Sequence, residues 1–260
     1  NIERVIMAFG VVRKMITTLD NPVSYRLPIG DGFIGINDLL GKEVTIEFSG
    51  SIMCLSCGRK TRKSFNQGHC YPCFKRLASC DQCIVRPEIC HYHEGTCREP
   101  DWGRSNCFQS HIVYLANSSG LKVGVTRETQ VPTRWIDQGA VQALPIYLVE
   151  ARREAGRLES ILRQLVSDRT NWRKMLKGPP DRLDLLEERD RIISNLKGDM
   201  KSGSKEKDFD GVFYLRSGVP VDIYYPVEHY PLKVVALNFE KTNVIKGRLW
   251  GVKGQYLIFD

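Results

Sequence analysis

All nine cysteines of this 260-residue chain fall between positions 54 and 107, and the rest of the sequence has none. A disulfide framework is spread through a small secreted fold, whereas adjacent Cys-x2-Cys pairs aim two thiolates at a single point. The clustering therefore predicts metal binding. The first block, CLSCGRKTRKSFNQGHCYPC, places Cys54, Cys57, Cys70 and Cys73 as Cys-x2-Cys-x12-Cys-x2-Cys. Two such corners facing each other make a tetrahedral cage for Zn2+, and the alternative is a set of reduced core or redox-active thiols. A closed four-thiolate site has no open coordination position, so its expected role is to hold the fold rather than to catalyse.

The second block, CDQCIVRPEICHYHEGTC, holds Cys80, Cys83, Cys90 and Cys97, with His91 and His93 between the last two. Four cysteines, or three cysteines with His93, can ligate a second Zn2+. The same four thiolates also suit an iron–sulfur cluster, because ligand type alone does not separate iron from zinc. Zinc is the expectation here, as a second knuckle stacked on the first. Cys107 is left over and reads as a small buried hydrophobe.

The formal net charge of +8 suggests a polyanionic partner. Each four-thiolate zinc site contributes minus two, however, so two loaded sites bring the total to about +4. Local charge is more informative. Arg59, Lys60, Arg62, Lys63, Lys75 and Arg76 occur with no acid among them, interleaved with Phe65, Tyr71 and Phe74. Cations contact phosphates and aromatic faces stack on unpaired bases, so this pattern predicts a nucleic-acid surface, DNA or RNA, with Arg59, Lys60, Arg62 and Lys63 as its phosphate contacts. The bland alternative is a solvated knuckle face. No apolar run approaches the ~18–20 residues of a spanning helix, and the N-terminus lacks a signal-peptide layout, so the expectation is a cytoplasmic protein with no membrane partner.

Residues 1–52 and 211–260 read as strands, with alternation at Val44–Phe48 and β-branched or aromatic runs at Val212–Leu215, Val221–Tyr224, Val234–Leu237 and Tyr256–Phe259. They are expected to close one β-domain from both ends of the chain. Between them come the cysteine-rich module (53–108), an α/β module (109–178) and a helical extension with a loop (179–210). The α/β module begins with strands at His111–Ala116 and Leu121–Thr126 and a helix start near Pro132. The spacing of Leu158, Ile161, Leu162, Leu165 and Val166 then predicts a helix to about Gly178. A second helix, led by Pro179-Pro180, carries the stripe Leu183, Leu186, Ile193 and Leu196 ahead of the loop Lys197–Asp210.

The run HIVYLANSSGLKVGVTRETQVPTRWIDQGA, followed by a helix carrying Glu159, resembles the GIY-YIG superfamily. Ile112-Val113-Tyr114 stands where Gly-Ile-Tyr would be, and Lys122-Val123-Gly124 where Tyr-Ile-Gly would be. Lys122 thus replaces a tyrosine and is a candidate phosphate contact. The resemblance implies a hairpin followed by helices. It further implies phosphodiester cleavage with Mg2+ or Mn2+ by Tyr114, Arg134 and Glu159: a carboxylate-held cation polarises the phosphoryl oxygens, the tyrosine orients water and the arginine offsets developing charge. Over nearly its full length the chain also resembles a bacterial family known as a domain of unknown function, through the paired Cys-x2-Cys block, GHCYPCF, LKVGVT, RWIDQGA and KGQYLIFD.

Together these features predict an α+β protein: a β-domain from both termini, an inserted double zinc knuckle and a GIY-YIG-like hairpin/helix module. The expected function is zinc-stabilised nucleic-acid binding. The alternatives are a divalent-metal-dependent endonuclease, a zinc-stabilised scaffold for a protein partner, and an iron–sulfur redox protein.

Overall fold

The computed structural model describes residues 7–200, 211–239 and 241–260. Three short strands, β1 (Ile16–Thr18), β2 (Ser24–Ile29) and β3 (Gly32–Gly35), form an antiparallel meander. Next comes β4 (Glu43–Glu47), in which Val44 and Ile46 turn inward between outward Glu43, Thr45 and Glu47, as a period of two requires. The cysteine-rich region has little regular structure. It contains the small ladder β5 (Ile52–Met53) and β6 (Lys60–Thr61), the one-turn helix α1 (Tyr71–Arg76), a series of 3-10 turns and α2 (Pro100–Cys107).

The centre of the molecule is a hairpin of β7 (His111–Asn117) and β8 (Leu121–Arg127), followed by the short helix α3 (Thr133–Asp137) and then β9 (Gln142–Val149) on the other side of β7. Helices α4 (Arg152–Leu162), α5 (Trp172–Lys177) and α6 (Leu185–Met200) follow. Strands β10 (Val212–Tyr214) and β11 (Val221–Asp222) both pair with β9, and β12 (Val244–Lys253) and β13 (Tyr256–Phe259) end the chain.

Every residue of β7 is buried because the strand feeds two cores. Ile112, Tyr114 and Ala116 point to one face, where Met15, Val23, Tyr25 and Ile36 from the N-terminal segment meet Trp135, Ile136, Leu249 and Val252. Val113 and Leu115 point to the other, against Leu158 and Leu162 of α4, Val166, and Leu185, Ile192 and Leu196 of α6. The result is three layers: small sheets, the central sheet and helices.

Several sequence expectations change here. β4 pairs antiparallel with β12, so N- and C-terminal segments do share a sheet. They do not form a separate domain, because their core is also the floor of the central sheet. The predicted strands at Val212–Leu215 and Val221–Tyr224 extend the central sheet instead of the terminal one, satisfying the free edge of β9. Val234–Leu237 is not a strand, and Val235 and Leu237 are exposed. The predicted long helix is two: α4 ends at Leu162, the linking segment runs beside β8 with the Val123 amide donating to the Ser167 carbonyl, and Asn171 caps α5 through Oδ1 to the Lys174 amide. The last helix starts five residues after Pro180, capped by Asp184, whose Oδ1 accepts from the Leu186 and Glu187 amides. Its buried stripe is therefore Leu185, Arg189, Ile192 and Leu196, and Leu186 faces out. Of the predicted loop Lys197–Asp210, residues 197–200 belong to α6 and 201–210 lie outside the described residues.

Candidate metal centres and nucleic-acid interface

Cys54, Cys57, Cys70 and Cys73 bring their sulfurs within 4.8 Å of one another, a set that can hold a metal ion such as zinc. Local backbone geometry does this. The Gly58 amide donates to the Cys54 carbonyl at 2.9 Å, closing the first turn, and Cys70 stands at the start of α1 with Cys73 one turn in. Between them the chain folds back through paired bonds between Phe65 and His69. Gly68 is required at φ +138, where a Cβ would lie 2.3 Å from Leu55 Cδ1.

The electrostatics suit a cation. Backbone amides at Cys57 and Cys70 hold the Cys54 thiol down at about 5, while burial and the neighbouring sulfurs of Cys70, Cys57 and Cys54 push Cys73 up to about 12. Four sulfurs this close do not ionise together unaided, and a dication at their centre removes the conflict. Among the described residues, the buried sulfurs of this unit have Leu77 packed against them.

The second cysteine block is arranged differently. A cavity of about 20 Å³ is walled by Cys83, Cys90, Cys97 and Cys107 together with the apolar Ile84, Tyr92 and Trp102. Cys80 is buried but does not line it, and Cys107, which the sequence left without a role, does. His93 is also off the cavity: its ring faces Glu94 and Arg153. Asp81, Cys83 and His91 converge within 4.8 Å, but Asp81 Oδ2 is already held by Arg98 at 2.6 Å and by His91 Nε2 at 3.6 Å, and His91 Nδ1 lies 2.7 Å from Thr96 Oγ1. The block is docked on the central module. Pro87 packs so closely on α4 that a Cβ on Gly156 would lie 2.5 Å from it, and Arg152 donates to the Ile84 carbonyl at 2.6 Å.

The predicted basic face is open. Arg59, Lys60, Arg62, Lys63, Lys75 and Arg76 are all exposed, and among the described residues none makes an ion pair. Beside them Phe65, Tyr71 and Phe74 form an aromatic group with centroids 5.4 to 6.5 Å apart, of which Tyr71 is 54% exposed. Lys63 Nζ stands 5.6 Å from the Phe65 ring centre, a cation–π contact that orders the edge of this surface.

The hairpin residues meet but are closed off. Tyr114 packs over Gly124, its register partner on β8, where a Cβ would lie 2.6 Å from the tyrosine oxygen. Its hydroxyl is fully buried and donates to Gln138 Oε1 at 2.9 Å. Burial, against the pull of Arg134, raises it to about 12. Lys122, the candidate phosphate contact, is 4% exposed and donates to Thr170 Oγ1 at 3.3 Å. Burial lowers it to about 8, and Glu159 and Asp168 oppose that shift. The Glu159 carboxyl is raised by burial despite Arg163. Arg134 and Glu159 thus act on both Tyr114 and Lys122, so the four side chains share one electrostatic neighbourhood. Glu159 does not hydrogen-bond Arg163, whose guanidinium turns to Asp168, Glu88 and Ser160. No helix among the described residues is long and apolar enough to cross a membrane.

Residues 41–260 match the family model described as "Protein of unknown function (DUF2797)". Neither the search of curated proteins nor that of solved structures finds a match.

Proposed function

Since this chain belongs to the family described as a protein of unknown function, DUF2797, we propose from its own geometry that it is a zinc-stabilised nucleic-acid-binding protein whose first knuckle carries the contact surface. The observation that carries this reading is the pairing of six exposed cations, none in an ion pair among the described residues, with an aromatic group whose Tyr71 is exposed, on one small metal-ordered unit. Unpaired cations release phosphate counterions without first breaking internal ion pairs, and a ring such as Tyr71 offers a stacking face to any base. Single-stranded DNA or RNA suits this combination better than a duplex, whose bases are already stacked.

The central module is read as a degenerate GIY-YIG-like domain. Tyr114, Arg134 and Glu159 gather with Lys122 in the place of a second tyrosine, which favours endonuclease activity with Mg2+ or Mn2+ as the second reading. Against cleavage stand the buried Tyr114 hydroxyl, already donated to Gln138, and a buried ammonium where a phosphodiester would have to approach. Catalytic groups must reach the reacting atoms, and here Tyr114 and Lys122 are buried and bonded to Gln138 and Thr170.

The deciding experiment measures fluorescence anisotropy of labelled single strands and duplexes with the zinc-loaded chain, beside a variant carrying R59A, K60A, R62A and K63A. Binding by the native chain and its loss in the variant are expected. Equal binding by both removes the knuckle from the interface, and no binding of any strand by the native chain overturns the nucleic-acid reading in favour of a protein partner. Nicking with Mg2+ or Mn2+ that E159A abolishes establishes the nuclease reading instead.

A further inference from the structure

The structure assigns a second metal centre to Cys83, Cys90, Cys97 and Cys107, of a size for an iron–sulfur cluster rather than a single zinc ion. Four thiolates from four separate pieces of chain converge on one enclosed space: Cys83 from the turn Gln82–Ile84, Cys90 just after the turn Pro87–Ile89, Cys97 from a loop and Cys107 from the end of α2. Cys107 is one helical turn beyond Gly103, so both face the cavity. At Gly103 a Cβ would lie 3.3 Å from Cys97 Sγ and 3.1 Å from the Tyr92 ring, so the missing side chain is what lets α2 approach the sulfurs.

Size decides between ion and cluster. Zinc holds sulfur at about 2.3 Å, which places four sulfurs roughly 3.8 Å apart and leaves no room at the centre for a water-sized body. The Cys54 site has that compactness. Here the four cysteines line about 20 Å³ of water-sized space, and among the described residues Cys90, Cys97 and Cys107 join no set of ligand atoms within 4.8 Å. A space above roughly 10–15 Å³ admits a water, so these four cysteines lack the compactness that one zinc ion imposes, which a polynuclear core does not require.

The surroundings match an anionic, water-shielded cluster. Ile84, Tyr92 and Trp102 wall the cavity beside Asp81 and His91, the Asp81 carboxylate being held by Arg98 and His91, and Tyr92 is itself packed edge-on against Phe108 with centroids 4.7 Å apart. Arg98 lines the cavity, and Arg152, tied to the Ile84 carbonyl beside Cys83, keeps a buried Nε with no hydrogen-bond partner. A buried donor of that kind finds its acceptor in the sulfur of a charged cluster.

The test purifies the full chain anaerobically from iron-replete cells and measures iron, zinc and acid-labile sulfide in the native chain and in the variants C107S and C80S. We expect iron and sulfide in equal amounts beside one equivalent of zinc, loss of both iron and sulfide in C107S with the zinc retained, and full retention in C80S. Zinc at both sites with no labile sulfide, even after reconstitution with ferrous iron and sulfide, overturns the cluster. Retention in C107S with loss in C80S overturns the ligand set. The zinc at the Cys54 site reports folding in the same sample. Where C107S loses that zinc as well, alkylation of the native chain decides: the loaded form should protect Cys83, Cys90, Cys97 and Cys107 and release all four on oxidative cluster loss, and labelling of Cys107 in the loaded form overturns the assignment.

Discussion

Withdrawing the ion from the Cys54, Cys57, Cys70 and Cys73 site should melt that unit and leave the rest of the molecule standing. The core of the unit is three buried cysteines with Leu77 packed against them. Burying a leucine contributes ~1.5–3 kcal/mol, whereas a structural zinc in a unit of this kind contributes on the order of 10–16 kcal/mol. Ordering the backbone costs ~1–2 kcal/mol for each residue, so Leu77 and the half-exposed aromatic group of Phe65, Tyr71 and Phe74 are too little to keep the segment from Cys54 to Leu77 in shape. Neither large core includes a residue of this segment, so both are expected to survive. Hydrogen exchange before and after chelation, with C73S as a permanent counterpart, reads the effect residue by residue. The amides of Leu55, Gly58, Phe65 and His69, each bonded within the unit, should exchange at unprotected rates, while that of Val123, bonded to Ser167, should not change. Acid should act as the chelator does, because protons compete with the ion for thiolates. If the knuckle amides stay protected in metal-free chain, the claim that the ion holds this fold is refuted.

Three further outcomes are expected. With up to six phosphate contacts from the unpaired cations, the slope of log K against log salt for a single strand should approach roughly −4, and each cation removed should reduce it by ~0.7; an anisotropy titration across salt concentrations checks both. His111 is fully buried, and burial, with Arg152 and Arg127 nearby, lowers it to about 4 against the opposing Gln109 carbonyl. The native state therefore stays neutral where the unfolded chain takes up a proton, so the stability this residue contributes is complete above pH ~6.5 and lost as pH falls to ~4, by at most ~3 kcal/mol; denaturant melts of native chain and H111L should differ in pH dependence over that window. Gly124→Ala should destabilise by ~1–3 kcal/mol, since the added methyl meets the Tyr114 ring, which has no free space to move into; a thermal melt measures it, and an unchanged midpoint would contradict the close packing.

What could be read from the sequence was what local spacing fixes. Two residues between cysteines force a shared turn, so the Cys54 set was visible at once, and so were the hairpin strands, whose alternation feeds two faces. The cations around the Cys54 set were legible for the same reason, being close in sequence with no acid among them. What lay beyond it were choices among distant partners of equal local merit. Cys80 forms a Cys-x2-Cys pair with Cys83, yet α2 brings Cys107 to the cavity instead. Val212–Tyr214 is as good a strand for a terminal sheet as for the open edge of β9, and only the edge needed it. Lys122 reads as a candidate phosphate contact, and only the packed structure shows its ammonium buried beside Thr170. A sequence determines what each short segment can do by itself; which segments meet depends on the apolar surface they bury together, and that is settled only when the whole chain packs.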